Sequence, residues 1–184
     1  AGVRHSMTAG GFGFLTRRRV LALGGVGASA LLVGGGVRSL LSGAPPVSGL
    51  RVLGDREYRT LDALAKTLIP RGGPFEIGAD RFDLARAFDG FLQGEPPANV
   101  EKLKRALLLF ELGPLLFEKR WAAFSQLPDA ERLKHYEAWA NSDTLLRRQV
   151  AIAFRKFMAL VFYDSPEVWP HIGYPGPSLA RLSR

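Results

Sequence analysis

Apolar residues recur at intervals of three and four from Asp55 to about Phe162, and Gly or Pro residues separate one such run from the next. This spacing puts apolar side chains on one face of an α-helix, and no run alternates as a half-buried strand would. We therefore predict a small, irregular all-α domain of about five to six helices, beginning near residues 55, 80, 99, 115, 129 and 144. The predicted buried faces comprise Tyr58, Leu61, Leu64, Ala65 and Leu68, then Phe82, Ala85, Phe88 and Leu92, then Val100, Leu103, Leu107 and Phe110, then Leu133, Tyr136 and Trp139.

The chain after the last predicted helix is rich in Pro, Gly and aromatic residues from 163 to 177. Proline and glycine exclude a regular helix here and predict an extended, turning tail. Large apolar groups gain nothing by lying free in water, so the tail should dock either on the chain's own helices or also on a partner subunit, where aromatic anchors are enriched. The candidate partner-interface residues are Tyr163, Trp169, Ile172, Tyr174 and Pro175.

The first 44 residues carry five Arg and no Asp or Glu, followed by Pro45 and Pro46. A basic stretch, an uncharged run from Val20 to Val37 and a Pro-rich exit have the layout of an export signal. The segment around the basic stretch resembles the twin-arginine export consensus, in which Ser or Thr precedes two Arg, any residue and two apolar residues. The matching positions are Thr16, Arg17, Arg18, Val20 and Leu21.

Two fates of this segment stay open. Small residues at Ser42, Gly43 and Ala44 suit cleavage, but a proline follows immediately and usually blocks it. An 18-residue helix from Val20 to Val37 would span about 27 Å, enough for a retained membrane anchor with its amino end in the cytoplasm. The competing G-x-G-x-x-A dinucleotide pattern starting at Gly25 lacks a nearby acidic residue, since Asp55 is the first one after it.

Composition excludes several functional classes. The absence of cysteine rules out disulfides, cysteine-ligated zinc, iron–sulfur clusters and covalently bound haem c in this chain. The net charge of +8 comes largely from the first 44 residues, and the remainder holds 20 basic against 17 acidic residues. Nucleic-acid binding is therefore not predicted, because it requires positive charge on the folded surface.

Three pairs of ionisable residues are candidates for chemistry. Glu131 and His135 share a helix face as two metal ligands would, but a site needs three or four, so an exposed charge pair is the preferred interpretation. Asp164 and His171 could form an acid–base couple, although Asp before Ser-Pro is typical of a turn opening. Glu111 and Glu118 are interpreted as solvated charges. We predict no catalytic, cofactor-binding or metal-binding residue in this chain.

Two stretches carry a family resemblance. Leu61 to Pro70, with the sequence LDALAKTLIP, resembles the opening of the gluconate 2-dehydrogenase subunit 3 family, and FYDSP at 162–166 with GYPGP at 173–177 resembles its closing motif. The resemblance implies a small subunit that accompanies an FAD-dependent dehydrogenase of the glucose–methanol–choline type, often together with a multihaem cytochrome c. It also implies that the flavin subunit lacks a leader and is carried across the membrane by the small one.

The sequence thus predicts a signal or anchor over 1–44, a linker over 45–54 and a helical accessory domain over 55–184. The expected function is a non-catalytic export escort and stabiliser, on the periplasmic side of a bacterial inner membrane, with FAD in the partner subunit, haem c in a third subunit where one is present, and the twin-arginine translocase as carrier. The first alternative is a membrane-anchored helical binding protein with no oxidoreductase partner. The second is an enzyme with an unrecognised site at Asp164 or His171.

Overall fold

A computed structural model describes residues 46–73 and 76–176. This part of the chain contains six α-helices and no strand, so the all-α prediction is confirmed. The helices are α1 (Asp55–Leu68), α2 (Leu84–Leu92), α3 (Pro97–Glu111), α4 (Gly113–Glu118), α5 (Asp129–Ala140) and α6 (Leu145–Asp164), and two short 3-10 helices span Phe124–Gln126 and Trp169–Ile172.

Local sequence signals explain where several helices begin. The Glu57 carboxylate accepts a hydrogen bond from the Gly54 amide (3.0 Å) and so satisfies one donor at the start of α1. Asp83 is itself the N-cap of α2, and its Oδ1 accepts a hydrogen bond from the Arg86 amide inside the helix (2.9 Å). Pro97 is the first residue of α3, where its missing N–H costs no hydrogen bond.

Helix α1 lies at the centre of the packing and contacts α2, α3, α5 and α6. Three of the five residues on its predicted buried face, Leu61, Leu64 and Ala65, are buried. Burial of each such leucine contributes roughly 1.5–3 kcal/mol relative to exposure. The largest fully buried side chains are Trp139, Phe88, Phe110, Phe124, Phe154 and Phe162.

Residues 46–54, predicted as a linker, are tied to α2 through one carboxylate. Asp89 Oδ2 accepts a hydrogen bond from the Arg51 amide (2.8 Å), and Oδ1 accepts from the amides of Val52 (2.9 Å) and Leu53 (2.7 Å). Burial opposes ionisation of Asp89, but these three donors and the Arg51 charge outweigh it and lower its pKa. Leu53 is buried against the core as a result.

The structure corrects three local predictions. The helix predicted from Leu115 to Phe124 ends at Glu118, because Lys119 adopts a left-handed conformation and turns the chain. Leu133 was predicted to be buried but is 44% exposed, since α5 turns Tyr136 and Trp139 inward instead. The tail is not extended throughout, because Trp169–Ile172 forms a 3-10 helix before the chain straightens.

Within the described ranges, no helix combines the length and apolar character that a membrane-spanning segment requires. The export-signal residues Thr16, Arg17, Arg18, Val20 and Leu21 lie outside the described residues.

Candidate functional site

Helix α6 carries apolar residues on two sides. One side faces the core through Val150, Phe154, Met158, Val161 and Phe162. Ile152, Leu160 and Tyr163 lie on the other side and are about half exposed. Positions 152, 156, 159, 160 and 163 fall on one stripe at helical periodicity, so the exposed residues form one surface along the helix from Ile152 to Tyr163.

The tail folds back beside this stripe. Val168 is completely buried and fixes the tail to the body. The Trp169 indole Nε1–H donates to the Tyr163 carbonyl oxygen (2.9 Å), and the Tyr174 amide donates to the Trp169 carbonyl oxygen (2.9 Å). The rings of Trp169 and Tyr174 meet edge to face with centroids 5.4 Å apart, a favoured aromatic geometry. The predicted docking of the tail on the chain's own helices is thereby confirmed.

An open groove of about 670 Å³ lies between α6 and the tail. Its lining consists of Lys156, Ala159, Leu160, Tyr163, Asp164, Trp169, Ile172 and Tyr174. Four of the five predicted interface residues, Tyr163, Trp169, Ile172 and Tyr174, therefore line one surface. Pro175 is exposed next to them but is not among the lining residues. The ionisable rim holds one lysine and one aspartate, so the groove carries little net charge.

A second cavity, of about 220 Å³, shares Ala159 and Tyr163 with the groove. Its lining also includes Leu68, Ile69 and Pro70 from the end of the LDALAKTLIP stretch. Phe162 and Tyr163 from the FYDSP stretch face the same cavity. The two stretches that carry the family resemblance, nearly 100 residues apart in the chain, thus meet in space beside the groove.

His135 is not part of an exposed charge pair, so the interpretation of Glu131 with His135 is wrong. His135 lies on the side of α5 that faces the core, and its imidazole is 1% exposed. Its Nδ1–H donates a hydrogen bond to the Glu118 carboxylate. Burial lowers the pKa of His135, and the hydrogen bond to Glu118 opposes that shift. Glu131 instead pairs with Arg120.

Glu111 is not a solvated charge, so the interpretation of Glu111 and Glu118 as solvated charges is wrong. It is 2% exposed, and its carboxylate accepts hydrogen bonds from the Ser125 amide (3.1 Å) and hydroxyl (2.5 Å). Burial raises the pKa of Glu111, while the Ser125 donors oppose the rise. Glu111 and Glu118 have separate partners, Ser125 and His135, so each holds part of the fold together.

Asp164 and His171 occupy different surroundings. Asp164 is the last residue of α6 and lines the groove, whereas His171 lies exposed in the 3-10 helix. Asp164 does not open the turn as predicted, because the turn begins one residue later, where the Ser165 carbonyl accepts from the Val168 amide (2.9 Å).

Sequence reasoning missed Asp89 and Val168, the two residues that fix the ends of the described body to its helices. For Asp89 a signal exists, because position 89 falls on the same helical face as Ala85 and Leu92 and is therefore placed for burial. Val168 stands among prolines and aromatic residues, and no periodicity marks it.

Across residues 46–73 and 76–176, no group of three or more His, Asp or Glu side chains could hold a metal ion. No protein-family model, no curated protein and no solved structure matches this chain.

Proposed function

We propose that this chain is the non-catalytic small subunit of an exported FAD-dependent dehydrogenase, which oxidises a sugar, a sugar acid or another alcohol. In this role the chain binds the folded flavin subunit, stabilises it and escorts it through the twin-arginine translocase. The observation that carries the proposal is the apolar groove that gathers Tyr163, Trp169, Ile172 and Tyr174 beside α6.

The groove has the character of a protein-binding surface. The Trp169 indole is held by its hydrogen bond to the Tyr163 backbone carbonyl, and the Tyr174 ring packs against it edge to face. These two rings therefore have less conformational freedom to lose on binding. Aromatic residues presented in this way are the usual anchors of protein interfaces. The half-exposed Ile152 on the same stripe of α6 extends the apolar area beyond the groove.

An escort must bind its cargo before export, since the twin-arginine pathway carries folded proteins. An association that survives translocation needs a specific interface, which typically buries about 1,200–2,000 Å² in total. The groove and the exposed stripe of α6 supply its centre, and further surface of the body would supply the rim. FAD, and haem c where a cytochrome subunit is present, belong to the partners in this proposal.

Purification of the tagged full-length chain from its native membrane fraction tests the proposal. We expect a protein of dehydrogenase size to co-purify and to show flavin absorption bands, with haem bands added if a cytochrome subunit is present. Deletion of the chain should leave the flavin subunit in the cytoplasm. Full, correctly exported dehydrogenase activity without this chain would refute the escort role.

A matched pair of leucine substitutions tests the groove itself. Leu160 and Leu133 are 50% and 44% exposed, but only Leu160 lines the groove. We expect Leu160→Ala to reduce recovery of the flavin subunit about tenfold or more, as a central interface residue does, and Leu133→Ala to leave recovery unchanged. If the two variants behave alike, the groove is not the interface. If the chain purifies alone and colourless, the membrane-anchored binding protein becomes the better description.

A further inference from the structure

A second exposed apolar surface lies at the turn after α4, and none of its residues lines the groove. Leu116 and Phe117 occupy the last turn of α4 and are about 40% exposed. Trp121 is 63% exposed, the highest value among the large apolar side chains that the structure describes. We call residues 116–121 the Trp121 turn.

Cations surround these apolar groups. Lys119 is exposed between Phe117 and Trp121, and the Arg147 guanidinium stacks over the Phe117 ring with its Cζ 3.7 Å from the centroid. Two carboxylates lie beside the turn: Glu118 is hydrogen-bonded to the buried His135, and Glu131 pairs with Arg120. Lys134 approaches Glu131 at 3.8 Å. The surface is cationic overall, because four cations stand against the two carboxylates: Lys119, Arg120, Lys134 and Arg147.

The backbone of the turn holds its lysine in an unfavourable conformation. Lys119 has φ 54° and is the single non-glycine residue with positive φ in the part of the chain that the structure describes. The Arg120 amide donates to the Pro114 carbonyl (3.0 Å) and closes the helix as such turns do, usually with glycine at the left-handed position. A lysine here is less favourable than glycine by roughly 1 kcal/mol, yet it puts a cation at the tip of the turn.

We propose that the Trp121 turn is a membrane-contact site that seats in the headgroup region of a bilayer containing anionic lipids. Tryptophan favours that region because its ring is apolar and its N–H is polar, and leucine and phenylalanine reach the acyl boundary beneath. Cations next to the inserted side chains gain from the negative surface potential. A protein partner is the less favoured occupant, because the apolar residues stand on an exposed, cation-rich turn rather than around a neutral groove. The inference concerns a different surface from the proposed escort role and does not depend on it.

Tryptophan emission of the full-length chain on lipid vesicles tests the proposal. The chain has three tryptophans, of which Trp139 is buried and Trp169 is tied to the tail. With vesicles that contain phosphatidylglycerol, we expect a blue shift and strong quenching by brominated lipid. Both signals should vanish in Trp121→Phe and persist in Trp169→Phe. If the amino-terminal segment holds the chain on the vesicle and Trp121 emission neither shifts nor is quenched, the proposal is wrong. Failure of the chain to bind vesicles would overturn it equally.

Lys119→Gly separates membrane contact from folding. The substitution relieves the positive φ, so its urea midpoint should hold or rise. Loss of one surface cation is expected to lower the ratio of quenched to unquenched Trp121 emission about fivefold on anionic vesicles. The same ratio on neutral vesicles should not change. Arg105→Ala, which removes an exposed cation of α3, is the matched control and should change the ratio less than about twofold. Equal losses in the two variants would show that net charge, not the turn, drives binding.

Phe117→Ala distinguishes a membrane from a protein occupant. We expect it to reduce quenching of Trp121 and to leave the set of co-purifying proteins unchanged. If it releases a co-purifying protein and leaves quenching intact, the turn is a protein interface and the proposal fails.

Discussion

Two of the aromatic clusters in the described part of the chain differ in their exposure to solvent, the central cluster around Phe110 and the tail cluster around Trp169. In the central cluster, Phe110 contacts the rings of Phe124, His135, Trp139 and Phe154 at centroid distances of 4.6 to 5.4 Å. All five side chains of this central cluster are buried. In the tail cluster, Trp169 contacts Tyr174 and binds the Tyr163 backbone, yet both tyrosines stay about half exposed.

The exposure of each cluster indicates its role in the molecule. The central cluster has contacts on every side of its rings, so its removal should cost stability and change nothing specific at the surface. The tail cluster is ordered by its own contacts while one face stays open to a groove. Such a cluster contributes less to folding and has unused apolar area, and this is the arrangement from which we infer binding.

The largest expected effect is in the central cluster. Phe110→Ala removes a fully buried ring with four aromatic neighbours and should lower the free energy of unfolding by about 3 to 5 kcal/mol. Urea denaturation followed by circular dichroism measures it. Phe110→Leu keeps most of the volume and should cost clearly less, so it reports the cluster even if the alanine variant does not fold. A loss below about 1 kcal/mol for the alanine variant would contradict the assignment of this cluster as the core.

A pair of glycine substitutions tests how tightly the central cluster is closed. A Cβ on Gly113 would lie 2.6 Å from His135 Cε1 and 3.1 Å from Trp139 Cζ2, so Gly113→Ala should destabilise the fold by roughly 1 to 3 kcal/mol. Gly90 lies in α2 with only the end of the Gln93 side chain near, at 3.8 Å. Gly90→Ala should therefore stabilise the fold by about 1 kcal/mol through helix propensity. Thermal unfolding of both variants checks the opposite signs, and a Gly113→Ala variant that is as stable as the unsubstituted chain or more so would show that the cluster has room beside Gly113.

The fold was largely predictable from the sequence, because the spacing of apolar residues in an amphipathic helix identifies its buried face. The faces through Leu61 and Leu64, and through Val100, Leu103 and Leu107, are buried as the three-and-four spacing predicts. Boundaries were less predictable where one residue decides them. The left-handed Lys119 ends α4 early, and nothing in local propensity marks a lysine for that conformation.

In the tail cluster we expect a smaller loss of stability and a larger loss of binding. Trp169 is partly exposed, so Trp169→Ala should lower the free energy of unfolding by about 1 to 2 kcal/mol, clearly less than Phe110→Ala does. Recovery of the partner should nevertheless fall about tenfold or more, because an anchor of the groove is gone. Parallel measurements of unfolding and co-purification test the contrast. If stability falls as much as with Phe110→Ala, the tail belongs to the core and the comparison fails.

The groove itself was only partly predictable. The aromatic residues of the tail indicated an interface, because Trp and Tyr among prolines cannot lie on the buried face of a regular helix. The polar residues were misjudged for the opposite reason. Glu111 and His135 look solvent-exposed by type, and only the packing of the 3-10 helix and of α4 around them supplies the Ser125 and Glu118 partners that allow burial.

The smallest effect concerns a buried carboxyl at the edge of the central cluster. Burial raises the pKa of Glu111 above its ordinary value of 4.5, so the folded state holds a proton that the unfolded state releases. Stability contributed by the protonated form is therefore complete at low pH and is lost as the pH rises through the folded-state pKa. Glu111→Gln does not titrate, so its unfolding free energy minus that of the unsubstituted chain should increase with pH above 4.5. Urea denaturation from about pH 4 to about pH 7 measures this difference. Glu101→Gln, an exposed carboxyl of the same helix, controls for the lost charge, and parallel curves for the two variants would mean that Glu111 ionises in the fold without cost.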